Sequence, residues 1–77
     1  MSRSQKNGSP YPLGCSTTQG FWNFAVFSET EVESLVVAPH AHPEKLEFYS
    51  LQKTGRIYHV AIEAKESAIR WGVESAQ

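Results

Sequence analysis

The stretch Gly20-Phe-Trp-Asn-Phe-Ala-Val-Phe-Ser28 constrains this chain more than any other. It is dense in Phe, Trp and Val, bounded by Gly and Ser, and too short for a buried helix, so it predicts an extended strand. Side chains alternate sides along a strand. Trp22, Phe24 and Val26 therefore share one face. Phe21, Ala25 and Phe27 share the other with Asn23. A strand of a free-standing antiparallel sheet usually shows one greasy and one polar face. Apolarity on both sides predicts cover from two directions. Trp22, Phe24 and Val26 are expected inside the sandwich, facing Val60 and Ile62, which leaves Phe21 and Phe27 in need of a partner.

The rest of the chain supplies other short strands. Leu35-Val-Val-Ala38 is compact and β-branched, and Pro39 ends it. Leu46 to Leu51 alternates, with Leu46 and Phe48 on one face and Glu47 and Tyr49 on the other. Gln52-Lys-Thr-Gly55 reads as a turn. Arg56 to Ile62 follows, with Tyr58, Val60 and Ile62 on one face and Ile57, His59 and Ala61 on the other. Ile69, Trp71 and Val73 then alternate with Arg70 and Gly72, which puts Trp71 in the core. Five short strands at roughly ten-residue spacing predict an all-β, immunoglobulin-like β-sandwich, or most of one, over residues 10–77. Residues 1–9 are polar and read as a mobile N-terminal arm. Cys15 to Gly20 reads as a connector. A helix over residues 63–75, with Ala64, Ala68 and Trp71 on one face, is the competing assignment for the last segment.

With 77 residues there is room for one small domain, which buries only roughly 60% of its unfolded surface. The lone cysteine, Cys15, forms no internal disulfide, and it is expected to be a small buried residue. Seven basic and eight acidic residues give a net charge of −1 with no basic stripe, so nucleic acid is not expected as a partner. No apolar run has transmembrane length and the first residues lack a signal-peptide core, so the expectation is a soluble cytoplasmic protein with no membrane partner.

Catalytic chemistry finds little to work with. Glycoside hydrolysis needs two carboxyl groups placed across a sugar. Asp is absent from the chain, and Glu29, Glu31, Glu33 and Glu47 read as solvated turn or surface charge. His40 and His42 share one side of an extended loop, but only Glu44 is near enough in sequence to join them, short of a zinc site. His59 lies in a strand and reads as packed or hydrogen-bonded. No cofactor or metal is expected, and no residue is assigned a catalytic role.

Three pieces taken in order carry a family resemblance. Tyr11-Pro-Leu-Gly14 precedes Asn23-Phe-Ala-Val-Phe-Ser28; Lys53-Thr-Gly-Arg-Ile-Tyr-His-Val60 precedes Ile69-Arg-Trp-Gly-Val73. Together they resemble the N-terminal β-sandwich of isoamylases and glycogen-debranching enzymes, the family 48 carbohydrate-binding modules. The full enzymes are α-1,6-glucan hydrolases of the glycoside hydrolase 13 type. The resemblance implies a non-catalytic accessory domain that packs on a catalytic barrel and contacts α-glucan weakly. The final strand departs from the pattern: it lacks the usual Asp-Gly turn, a second Trp beyond it, and the barrel that would follow. The resemblance assigns glucan contact to Arg70 on the last strand, with Tyr49 as an exposed aromatic. For Phe21 and Phe27, left without cover by the strand alternation, it implies a catalytic barrel as the partner, with self-association in its place. A protein-interaction sandwich with no carbohydrate role is the alternative function.

Overall fold

A computed structural model describes residues 3–75. Among these residues eight strands, all antiparallel where they pair, form two sheets. In chain order they are β1 (Gln5–Lys6), β2 (Gly14–Thr18), β3 (Phe21–Phe27), β4 (Val32–Pro39), β5 (Glu47–Tyr49), β6 (Gln52–Thr54), β7 (Ile57–Glu63) and β8 (Ile69–Ser75). The larger sheet runs β1-β7-β3-β2, with β6 on the same edge of β7 as β1. The smaller runs β5-β4-β8. The all-β sandwich expected from the sequence is therefore present. Residues 69–75 are a strand and not the competing helix.

The strand at the centre of the sequence argument is also at the centre of the larger sheet. Trp22 stands opposite Ile62 and Phe24 opposite Val60. These four close on Leu35 and Val37 of the smaller sheet to make the core. Phe24, Leu35 and Ile62 have no exposed surface. Each fully buried side chain of this size contributes about 1.5–3 kcal/mol, so this cluster is the main source of stability in so small a domain.

Turn chemistry fixes the registers. Thr18 pairs with Phe21, leaving Gln19 and Gly20 as a two-residue hairpin loop. Both have positive φ, 49° and 83°. A type I′ turn needs that at both positions, because its twist matches that of the strands. Thr54 pairs with Ile57 across Gly55 and Arg56. Gly55, with φ 62°, holds the first central position, where a type II′ turn takes glycine.

The second face of β3 does not lack cover. Residues 3–9, read as a mobile arm, are part of the sandwich. Gln5 and Lys6 pair with Ile62 and Ala61. Asn7 to Ser9 then cross the outer side of β3 and β7. Asn23, the polar residue in the greasy stretch, anchors them. Its Oδ1 accepts from the Ser9 backbone N–H at 2.7 Å, and its Nδ2 donates to the Ser9 carbonyl at 3.0 Å. His59 Nδ1 lies 2.7 Å from the Asn7 carbonyl and Nε2 lies 2.8 Å from Thr54 Oγ1. Asn23, Ala25, His59 and Ala61 are all buried beneath this crossing. The expectation that nothing in the chain covers this face is thus corrected for its middle, where the N-terminal segment lies over Asn23 and Ala25, while Phe27 at its end stays exposed.

The crossing depends on Gly8. A Cβ at this position would stand 2.6 Å from Asn23 Oδ1 and 2.8 Å from the Val60 carbonyl carbon, and the residue has φ 76°. Gly8→Ala is expected to destabilise the fold by about 1–2 kcal/mol from the left-handed backbone alone, plus the clash. Amide hydrogen exchange checks this. Residues 5–9 should lose protection well before β3 and β7, because the crossing is the element the added methyl displaces.

Candidate functional site

Strand register decides which residues share the open surface. In the smaller sheet Leu35 stands opposite Tyr49 and Val73, and Val37 opposite Glu47 and Trp71. Leu35 and Val37 point into the core, so their cross-strand partners point to that side as well. Val36 points outward, and its partners are Phe48 on β5 and Gly72 on β8. Arg70 is outward too, opposite Ala38. The outer face therefore carries Phe48, Val36, Gly72 and Arg70, with Leu46 and Pro43 at its end. Phe48 and Leu46 are 55% and 57% exposed. A groove of about 330 Å³ runs here, lined by Val36, Pro43, Leu46, Arg70 and Gly72, with Trp71 and Val73 at the β8 side. No atom would meet a Cβ on Gly72, so the floor above β8 is open.

This geometry separates the two residues assigned to glucan contact. Arg70 is exposed on the outer face. Tyr49 lies on the inner side, half-buried and packed against the core cluster. Its hydroxyl donates to Glu47 Oε1. Burial first, and the Glu47 carboxylate second, push the Tyr49 hydroxyl up to about 12. Tyr49 is thus not an exposed stacking ring and shares no surface with Arg70. The aromatic on the side of Arg70 is Phe48. The greasier pair, Leu46 and Phe48, is outside, and Glu47 with Tyr49 is inside.

Glu47 can point inward because a cation meets it. Arg3 is 7% exposed, and its Nε donates to Glu47 Oε1 at 2.8 Å. Its Nη1 donates to Glu66 Oε1 at 2.7 Å and to the Glu63 carbonyl at 2.9 Å, while Nη2 reaches Glu66 Oε2. The guanidinium also lies 5.9 Å from the Trp22 ring centroid. Hydrogen bonds from Arg3 hold the Glu47 and Glu66 carboxyls below the usual carboxylate range. The same bonds, Glu66 foremost, raise the Arg3 guanidinium above its own. Glu47 is therefore a structural ion-pair partner and not free surface charge.

The proposed partner interface is also divided. Phe21 and Phe27 stand six residues apart on β3, about 20 Å at the rise of a strand. The crossing of residues 7–9 fills the middle. Phe21 is half-buried, with the Lys6 ammonium 4.4 Å from its ring centroid. Phe27 remains 53% exposed. They do not make one continuous apolar face.

Other candidates are placed plainly. Cys15 is exposed on edge strand β2, not buried, although partial burial raises its thiol. His42 and Glu44 approach to 3.6 Å in an exposed loop. Among the described residues no group of three or more His, Cys, Asp or Glu is close enough to hold a metal ion. No helix among them is long and apolar enough to cross a membrane. Compared with known proteins, the chain matches no family model and no curated sequence.

Proposed function

We propose that this chain is a non-catalytic accessory sandwich of a glucan-debranching enzyme. In this reading the outer face of its three-stranded sheet is the surface that meets an α-glucan chain. The observation that supports it is the composition of that face: one exposed aromatic, Phe48, an apolar floor of Val36 and Gly72, and one guanidinium, Arg70, at the rim. A glucose ring offers an apolar C–H face and a polar edge of hydroxyls. The first packs on flat apolar surface and the second needs a donor. With a single ring and a single charged donor the contact is weak, in the millimolar range, about 4 kcal/mol. Nothing on the face positions a pair of carboxyl groups, so the role is to hold a glucan and not to cut it.

Co-sedimentation of the purified chain with glycogen and amylopectin tests the reading. The bound fraction is expected to fall several-fold in Phe48→Ala and in Arg70→Ala. It should be unchanged in Tyr49→Phe, which alters the opposite side of the same sheet. Absence of sedimentation with either glucan would remove the carbohydrate role and leave the face as a protein-docking surface.

A further inference from the structure

We propose that β8 is a self-complementary edge and that two copies of the chain pair through it, antiparallel and two-fold related, to make one continuous six-stranded sheet. β8 bonds to β4 on one side, and among the described residues no strand pairs with its other edge. It is seven residues long and carries neither Pro nor Lys, the residues that usually blunt an exposed edge. Its inner side is unfinished. Trp71 and Val73 face the core side, opposite Val37 and Leu35. Trp71 also packs on Phe24 at 5.1 Å. Yet they are 38% and 39% exposed, and among the described residues no strand flanks them on that edge.

The occupant follows from the strand's own sequence. In an antiparallel pair centred on Gly72, Gly72 meets Gly72 of the second copy. Trp71 then stands opposite Val73, and Arg70 opposite Glu74, each twice by symmetry. The inner face of the junction becomes Trp71–Val73 and Val73–Trp71, closing the open flank of both cores. The outer face becomes Arg70–Glu74 and Glu74–Arg70, opposite charges directly across the pair. Gly72 carries no side chain to obstruct the axis. Within one copy, Glu74 accepts a 3.2 Å hydrogen bond from Ser34, and both Arg70 and Glu74 are exposed. Any other register brings Arg70 against a residue without a negative charge, or turns the apolar side out of the core. The pairing uses the strand edge and leaves Phe48, Val36 and Leu46 uncovered; Arg70 is the one side chain it shares with the proposed glucan face, so Phe48→Ala, which lowers glucan binding and should leave the dimer unchanged, separates the two readings.

Charge reversal tests the register directly, with mass read by sedimentation equilibrium of the full chain. Wild type is expected to dimerise with rising concentration. Arg70→Glu and Glu74→Arg each place like charges across both outer pairs and should weaken the dimer at least about tenfold. An equimolar mixture of the two variants restores both opposite-charge pairs and should recover a mixed dimer; so should the Arg70→Glu, Glu74→Arg double variant with itself. Far-UV circular dichroism confirms that each exposed substitution leaves the fold intact. A wild type that is strictly monomeric up to millimolar concentration overturns the proposal. So does a dimer that both single reversals leave unchanged, or single variants that do not recover each other.

Discussion

Phe24→Ala is expected to abolish cooperative unfolding. Phe24 has no exposed surface and joins the two sheets, with Trp22, Val60 and Ile62 beside it and Trp71 above. Truncating a buried Phe removes about 3–5 kcal/mol, part transfer and part cavity. A domain of 77 residues holds in total roughly 4–12 kcal/mol. The loss is therefore comparable with the whole stability. Urea titration followed by circular dichroism should give a broad, non-cooperative change in place of a sigmoid. Trp71→Ala, which the sequence alone would rank as equally damaging, is expected to keep its cooperative transition. With 38% of its surface in water, Trp71 has less burial to lose, and removal should cost about 1–2 kcal/mol. A Phe24→Ala chain as stable as its parent would mean that the sheets pack on some other pair.

The contrast between these two residues shows what the sequence made legible. Where apolar residues alternate along a strand with neighbours on both sides, the pattern reads directly. β3 and β7 are the best cases: periodicity puts Trp22, Phe24, Val60 and Ile62 on inward faces, but the expectation that they face each other is corrected, since the two strands are neighbours in one sheet and face Leu35 and Val37. Trp71 misleads because periodicity reports the face of a strand but not whether the strand is at an edge. It does point inward, but among the described residues no strand pairs with the free edge of β8.

The strands that escaped notice are those held by backbone bonding and not by burial. Gln52–Thr54 is exposed throughout, and Gly14–Thr18 is a run of small polar residues. Neither carries an apolar period. The hairpin before β3 escaped because its turn is Gln-Gly, where Asn-Gly or Asp-Gly is the usual signal. Phe48 and Tyr49 were exchanged for a different reason. A greasy pair alternating with a Glu and a Tyr would normally be the buried pair. The inward Glu47 is tolerated only because Arg3, 44 residues away, supplies its counter-charge. Residue spacing holds no trace of such a partner. The aromatic neighbour of Arg70 was thereby misidentified, and so was the N-terminal segment, whose one buried cation looked like another polar residue in an arm.

Arg3→Ala is accordingly expected to be the most damaging substitution at a charged position. The side chain is 3% exposed, whereas Glu47 and Glu66 are 34% and 28% exposed. On losing Arg3 the carboxylates can regain water, so the cost is below that of a fully buried pair. Loss of several charge-assisted hydrogen bonds still amounts to about 2–3 kcal/mol. The change should also appear in the pH dependence. In the unfolded chain both glutamates titrate near about 4.3. In the fold, Arg3 holds them lower. A carboxyl with a depressed folded value adds stability that is present above its unfolded value and lost as pH falls through the folded one. The parent should therefore lose stability on acidification below about pH 4.3, more steeply than Arg3→Ala, in which the shared cation is gone. Urea midpoints measured from pH 7 down to pH 3 would show the two curves converging at the acid end. Arg3→Lys is expected to recover only part of the difference at neutral pH. Its ammonium keeps the charge but cannot donate through a planar fork to Glu47, Glu66 and the Glu63 carbonyl together. Parallel curves for parent and Arg3→Ala would show that the carboxylates are held down by something other than this guanidinium.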